Sequence, residues 1–381
     1  MIDNFVFHDA IRRCGIDFFA GVPDSLLKHF CAHVADHAPR TSHWIAANEG
    51  NAVALAAGHY LATGRLALVY MQNSGLGNAI NPLVSLADPD VYGIPMLLLI
   101  GWRGEPGVKD EPQHAKQGAI TPAMCAAIGM PHRILPAETG PAVACLEEMV
   151  RTATENRRPV ALIVRADSFA KYPPRPAPPS PCALNREATI AAIVGALPPH
   201  AAVVSTTGHI SRELYETRAK TGQGHRRDFL TVGSMGHASQ IALGIALAHP
   251  ERPVACLDGD GAALMHMGAL ALAGTSGAKN LLHIVLNNGA HDSVGGQKTV
   301  GFEVDFVRIA DACGYRTACR LDALDSLSAK LKGISFQDGP VFLEVRVAKG
   351  ARKDLGRPAT RPQENKDAFM ETFKPNEPAG T

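Results

Sequence analysis

The residues best suited to chemistry are Leu257-Asp258-Gly259-Asp260-Gly261-Ala262, followed by Leu286-Asn287-Asn288-Gly289. Val254 to Leu257 reads as a strand, and Gly259-Asp260-Gly261 turns the chain into a helix. A helix start offers free backbone amides to an anion. Asp260 offers carboxylate oxygen to a hard cation. Asn287 lies 27 residues further on, enough for one helix and a return strand. It therefore arrives at the C-terminal edge of the neighbouring strand, where open α/β sheets bind ligands. A carboxylate, an amide oxygen and a backbone carbonyl suit Mg²⁺ or Ca²⁺, not zinc. A bare GDG is a weak signal; GDG and NN at this spacing, each closing a strand, is a specific one.

A second centre is Ala46-Ala47-Asn48-Glu49-Gly50-Asn51. Strand-like His43 to Ala46 leads into Glu49, and the Ala-rich helix Ala52 to Gly58 follows. A carboxylate held between apolar segments keeps its proton more readily and can share it with a base. The plainer role is an acidic residue favoured by the helix dipole.

The elements that must hold these residues alternate. Phe18 to Ala20, Leu66 to Met71, Met96 to Ile100 and Val160 to Val164 are short apolar runs, with helical stretches such as Asn51 to Thr63 and Pro141 to Glu155 between them. Ala202 to Ser205, Val254 to Leu257, Leu281 to Leu286 and Val341 to Val345 repeat the pattern, with helices over Ser239 to Ala248 and Ala262 to Ala273. Continuous β-branched strands between helices imply parallel sheets covered on both faces. The expected fold is α/β: two doubly wound parallel-sheet domains over 1–170 and 186–350. A Pro-rich linker, KYPPRPAPPSPCALN, covers 171–185, where proline density excludes helix and central strand. A C-terminal basic tail is expected over 351–381.

The 381 residues carry 37 Lys+Arg against 36 Asp+Glu, so no charge excess draws nucleic acid or anionic membrane. No apolar run approaches the ~20 residues that span a bilayer. Met1-Ile2-Asp3-Asn4 does not open a secretory signal. No pair among the eight cysteines has CxxC spacing, so reduced thiols in a cytoplasm are expected, and a structural zinc site is not.

GDG followed by NN resembles the thiamine-diphosphate enzymes. The resemblance implies that Asp260, the Asn287 side chain and the Gly289 carbonyl hold Mg²⁺ on the cofactor diphosphate, at the turn that continues into Gly261 and Ala262. Ser205-Thr206-Thr207-Gly208-His209 resembles the family's other diphosphate turn; His209 is either a diphosphate donor or a helix-start residue. Gly233-Ser234-Met235-Gly236 resembles the segment beneath the cofactor, with Met235 as wedge and the Gly233 carbonyl accepting from the 4′-amine. Glu49 fits the family's activating glutamate near N1′. In that family the glutamate and the diphosphate site come from different subunits, which implies a homo-oligomer, a homodimer or higher, with sites at the subunit interface.

Four further segments, Gly21 to Lys28, Gly104 to His114, Ser211 to Leu214 and Asn288 to Gln297, resemble the branch that decarboxylates phosphonate-bearing 2-oxo acids. Asp24 and His114 match acid/base positions of related decarboxylases. Those relatives commonly carry paired histidines where this chain has Gln113-His114, which leaves the proton donor open. A phosphonate needs cations, and arginine suits it through bidentate donors. Arg103, Lys109, Lys298, Arg352, Lys353 and Arg357 are unranked candidates, with Ser25 and His291 beside them. Gly101 to Glu111 and His291 to Gln297 are Gly-rich stretches expected to fold over substrate. A sulfonate substrate is the nearest alternative. Acetolactate-type carboligation lacks room for its middle domain, and Glu49 argues against an idle cofactor-binding protein.

Overall fold

The computed structural model describes residues 1–173 and 180–374. The chain forms two compact units, Met1–Ala177 and Pro178–Thr381. Of the expected linker, residues 174–179 lie outside the described residues.

In the first unit the strands are β1 (Phe18–Gly21), β2 (His43–Ile45), β3 (Ala67–Gln72), β4 (Met96–Gly101), β5 (His132–Ile134) and β6 (Pro159–Val164). They form one parallel sheet in the order β2-β1-β3-β4-β6-β5. Successive side chains of a strand face opposite sides. Leu68, Tyr70, Leu97 and Leu99 therefore enter one apolar layer, and Val69, Met71, Leu98 and Ile100 the other. Helices cover both layers, which is why the central strands are apolar throughout.

The second unit has β7 (Ala202–Ser205), β8 (Asp228–Leu230), β9 (Val254–Gly259), β10 (Leu281–Asn287), a hairpin of β11 (Ala290–His291) and β12 (Gln297–Lys298), then β13 (Thr317–Leu321) and β14 (Val341–Arg346). Its parallel sheet runs β13-β14-β10-β9-β7-β8. With the hairpin set aside, this is the strand order of the first sheet. In each unit the chain adds its second strand on one side of the first and its third on the other. Each sheet thus has a switch point, between β1 and β3 and between β7 and β9, where ligand crevices form.

Three expectations change. The helix expected over Ala262 to Ala273 is two helices, Asp260–Met265 and Gly268–Thr275, broken at His266 with φ −131° and ψ 52°. The Gly-rich stretch His291 to Gln297 lies in a hairpin, the antiparallel β11–β12 pair, that the sequence pattern did not mark. The terminal segment contains a helix, Pro362–Glu371, whose Phe369 joins the apolar core of the second unit. All eight cysteines are free.

That helix also completes a sheet edge. Buried Asn365 accepts from the Leu230 amide at 3.0 Å and donates to the Asp228 carbonyl at 2.8 Å. One side-chain amide thus pairs with β8 as a neighbouring strand would. Asn365→Ala strands a buried donor and acceptor and should cost about 1–3 kcal/mol. Urea unfolding should show a lower midpoint with unchanged slope; an unshifted midpoint would contradict this role.

Candidate functional site

In the first unit the polar residues collect at the C-terminal edge of the sheet. Asp24 follows β1 and is fully buried. Its Oδ1 accepts from Gln72 Nε2 at 2.7 Å, and its Oδ2 from the Leu26 amide at 3.1 Å. Burial pushes its pKa up, against the pull of those hydrogen bonds. Gln72 ends β3, so Asp24 and Gln72 face each other across the switch point. Asn73 follows, donating to the Arg103 carbonyl at 2.8 Å and to Thr121 Oγ1 at 2.9 Å. The loop after β4 is thereby tied to the end of β3.

Arg103 opens that loop. Nε donates to Asp110 at 2.8 Å, and Nη2 bonds the other oxygen of the same carboxylate. Nη1 reaches Ser25 Oγ at 3.0 Å. Asp110 raises the Arg103 pKa and is itself held well below the usual carboxylate range by the guanidinium. The pair fixes the arginine beside Ser25 with its side chain still 19% exposed. His114 is buried in the first turn of the helix Pro112–Ala127, and Lys109 is exposed on the loop.

Glu49 is the first residue of the helix Glu49–Thr63, behind Asn48, whose side chain caps the helix by accepting from the Asn51 amide. It is 4% exposed, and its Oε2 accepts from Asn78 Nδ2 at 2.8 Å. A Cβ on Gly75 would stand 2.1 Å from Glu49 Oε1, so only glycine admits the carboxylate there. A helix start favours negative charge by ~0.3–1 kcal/mol. Burial outweighs it: the Glu49 pKa is raised although the Asn78 bond opposes the shift.

In the second unit the turn after β7 and the turn after β9 flank the other switch point. Thr207 Oγ1 donates to the Val232 carbonyl at 2.9 Å, and Gly208 has φ +97°. His209 begins the helix His209–Lys220, its Nδ1 buried with no hydrogen-bond partner among the described residues. Burial, then Arg186, lowers its pKa. Gly233, Ser234 and Met235 follow β8, the position in the topology that Glu49 occupies after β2. Ser234 sits at φ +54°, and Met235 is half-buried.

Asp260 starts the helix Asp260–Met265, followed by buried Gly261 and Ala262. Its Oδ2 accepts from the Thr299 hydroxyl, and burial pushes its pKa up to about 6. Asn287, fully buried at the end of β10, turns Oδ1 toward the Gly289 amide at 3.1 Å. A Cβ on Gly301 would stand 2.6 Å from Asp260 Oδ2 and 2.7 Å from Asn287 Oδ1. The two oxygens therefore border one small space, which glycine leaves open. Gly289 lies two residues beyond Asn287, and its carbonyl accepts from the Thr299 amide at 3.0 Å. An all-oxygen donor set of this kind fits a hard divalent cation. His291 is buried beside Gly261, with its pKa lowered to about 4 by burial.

The spacing of motifs did not reveal what braces this edge. Arg186 donates to both Glu213 oxygens at 2.8 and 2.9 Å and to Asp292 at 3.0 Å. Asp292 also accepts from Asn288 Nδ2 at 2.8 Å, so the second asparagine of the pair is tied to the hairpin. Glu213 lies in the singled-out segment Ser211 to Leu214, but nothing in the sequence marks Arg186 as its buried partner. Of the remaining cations, Lys298 is paired with Glu303, and Arg352 with Glu187, Glu216 and Asp354. Lys353 and Arg357 are exposed. Lys298 ends β12 in the hairpin that carries His291, but its ammonium is taken by Glu303, whereas Arg103 keeps Nη1 on Ser25. Away from the edge, Cys256, Asp258 and His283 bring ligand atoms within 4.8 Å of one another in the core. His283 lies 3.4 Å from Asp258 Oδ2 and 3.1 Å from the Tyr315 hydroxyl.

Residues 4–124 match the N-terminal TPP binding domain of thiamine pyrophosphate enzymes, and residues 206–345 the C-terminal TPP binding domain. The chain is 39% identical over 374 residues to a phosphonopyruvate decarboxylase of Streptomyces hygroscopicus, covering 94% of this chain and 90% of that one. It is 37% identical over 382 residues to a phosphonopyruvate decarboxylase of Streptomyces viridochromogenes, covering 96% and 94%. A sulfopyruvate decarboxylase of Methanosarcina acetivorans is 29% identical over 389 residues, covering 96% of each chain.

The raised pKa of Glu49 has a measurable consequence. The folded chain holds this proton more tightly than the unfolded one, so ionised Glu49 opposes folding. That cost is complete above the folded pKa and vanishes below the unfolded value of about 4.3. Glu49→Gln keeps an acceptor for Asn78 and removes the charge. It should raise the thermal midpoint of the protein alone at pH 8, by roughly 2–4 °C for each kcal/mol relieved. The gain should shrink toward pH 4.5; a gain independent of pH, or a loss at pH 8, would contradict the burial argument.

Proposed function

Because the chain belongs to the thiamine pyrophosphate enzyme family, we propose that it is a cytoplasmic decarboxylase converting 3-phosphonopyruvate to phosphonoacetaldehyde and CO₂. The observation that carries the substrate is the near full-length match at 39% and 37% to phosphonopyruvate decarboxylases, against 29% for a sulfopyruvate decarboxylase. The edge cluster of Asp24, Ser25 and Arg103 supports it with a buried acid beside an oriented guanidinium.

Thiamine diphosphate, when bound, supplies the carbon nucleophile and the electron sink that loss of CO₂ from a 2-oxo acid requires. The chain supplies placement and protons. Asp260, Asn287 and the Gly289 carbonyl would hold Mg²⁺ and, through it, the diphosphate. Thr207, Gly208 and His209 line the other side of that crevice, where the buried His209 Nδ1 lacks a partner within the described residues. Gly261 and Ala262 open the helix whose first amides face the anion. Gly233, Ser234 and Met235 support the thiazolium side.

Burial makes Glu49 retain its proton more readily than a surface carboxylate, and with the cofactor bound it would share that proton with the pyrimidine nitrogen. Burial raises the pKa of Asp24, which suits it to proton transfer after CO₂ departs, and His114 is the second acid/base group. Arg103 and Ser25 bind the phosphonate. Asp110 occupies the Nε edge of the guanidinium, which directs the terminal Nη edge toward Ser25. Lys109 adds an exposed charge; of the other candidates, His291 is buried and Lys298 and Arg352 are paired. The protein acts as a homo-oligomer in which the Glu49 half of one copy serves the Asp260 half of another.

Purified protein given thiamine diphosphate and Mg²⁺ should release CO₂ faster from phosphonopyruvate than from sulfopyruvate at equal concentration. Removing the metal with a chelator should abolish both. Arg103→Met should raise KM for phosphonopyruvate by roughly 10–100-fold, the loss of one charge-assisted bidentate contact. Faster turnover of sulfopyruvate would overturn the substrate, and an unchanged KM would remove Arg103 from the anion site.

A further inference from the structure

Asn287 is held by groups that leave its amide no choice of direction. Its Nδ2 donates to the Gly301 carbonyl at 2.6 Å and to Glu344 Oε1 at 2.8 Å. A carbonyl and a carboxylate accept hydrogen bonds and do not donate them. The nitrogen end must therefore face Gly301 and Glu344, and Oδ1 must face the space it shares with Asp260.

Glu344 is built for this. It lies on β14, fully buried, directly across from Arg320 on β13 and from Val285 on β10. Asn287 is two residues beyond Val285, so it is the diagonal neighbour on the same face, within reach of a long side chain. Arg320 Nε donates to Glu344 Oε2 at 2.7 Å, and Arg346 Nε approaches Oε1 at 3.4 Å. The arginines offset the charge: Arg320 takes Oε2, while Oε1 accepts the shorter bond from Asn287 and the longer one from Arg346. A carboxylate buried only to anchor the outer strand would have no reason to spend that oxygen on an asparagine at the end of β10.

We infer that Glu344 is a positioning residue for the metal, dictating through Nδ2 which end of the Asn287 amide is offered to the divalent cation. The inference rests on the metal assignment proposed above. It carries an unusual consequence. Asn287→Asp supplies a harder, charged ligand, and on ligand chemistry alone it would tighten Mg²⁺ binding. Here the new carboxylate confronts Glu344 and the Gly301 carbonyl, three acceptors with no proton between them. Glu344→Gln on that background restores a donor facing the new acceptor.

The test is the Mg²⁺ concentration that half-saturates thiamine diphosphate binding, read by titration calorimetry on the full-length protein stripped of cofactor. Glu344→Gln and Asn287→Asp should each raise it roughly 10–100-fold, the usual effect of losing a partner of a metal ligand. The double variant N287D/E344Q should return to within about threefold of wild type. Asn287→Asp leaves Glu344 and its arginines in place, so it decides the question even if Glu344→Gln alone fails to fold. A wild-type Mg²⁺ response accompanied by equal or tighter binding in Asn287→Asp, or a double variant no better than either single one, would overturn the inference alone. Wild-type cofactor binding indifferent to Mg²⁺ would overturn the metal assignment and this inference with it.

Discussion

A carboxylate taken out of water at the end of a strand must be met by something. Burial raises the pKa of Asp24, Glu49 and Asp260 despite the hydrogen bonds that each accepts. An isolated buried charge is costly, and the usual outcomes are a partner, a metal or a retained proton. The chain uses the available geometry differently at each. Asp24 keeps Gln72 and a backbone amide, Glu49 keeps a single asparagine, and Asp260 shares its space with the oxygen of Asn287. In the proposed reading two of these serve proton transfer and one a cation. That difference follows from what lies beside each carboxylate rather than from the carboxylates themselves.

The two units reach this state by the same route. Both sheets add strands in one order, and both gather their polar residues at the crevice where that order reverses. Equivalent loops carry different chemistry: the turn after β2 brings Glu49, and the turn after β8 brings Gly233, Ser234 and Met235. Close backbone approach sharpens both edges. Gly75 admits the Glu49 carboxylate, and Gly301 keeps open the space between Asp260 and Asn287. Loops at these edges are braced by ion pairs, as Arg186 does by joining Glu213 to Asp292.

Central strands were legible in the sequence because a strand buried on both faces is largely apolar: β4 and β6 carry no polar side chain, and β10 only His283 and the terminal Asn287. Of the edge strands only β2 was, as strand-like His43 to Ala46. β5, β8 and β13 are short and carry no run of β-branched residues, and β5 and β13 are only partly buried. The break at His266 is a backbone turn inside an Ala- and Leu-rich stretch that helical periodicity reads straight through. The terminal helix hid behind charged residues, with Phe369 as the lone apolar anchor in its buried face. At the site, GDG and NN announced themselves by spacing. Glu344 did not, since its contact with Asn287 crosses 57 residues and depends on strand register. A lone glutamate inside the apolar run Val341 to Val345 was the clue.

The most direct trial of this account is anomalous diffraction from crystals grown with thiamine diphosphate and Mn²⁺ in place of Mg²⁺. A manganese peak bonded to Asp260, Asn287 Oδ1 and the Gly289 carbonyl is the predicted outcome. A peak among Cys256, Asp258 and His283 instead, or cofactor density with no metal at the end of β9, would contradict it.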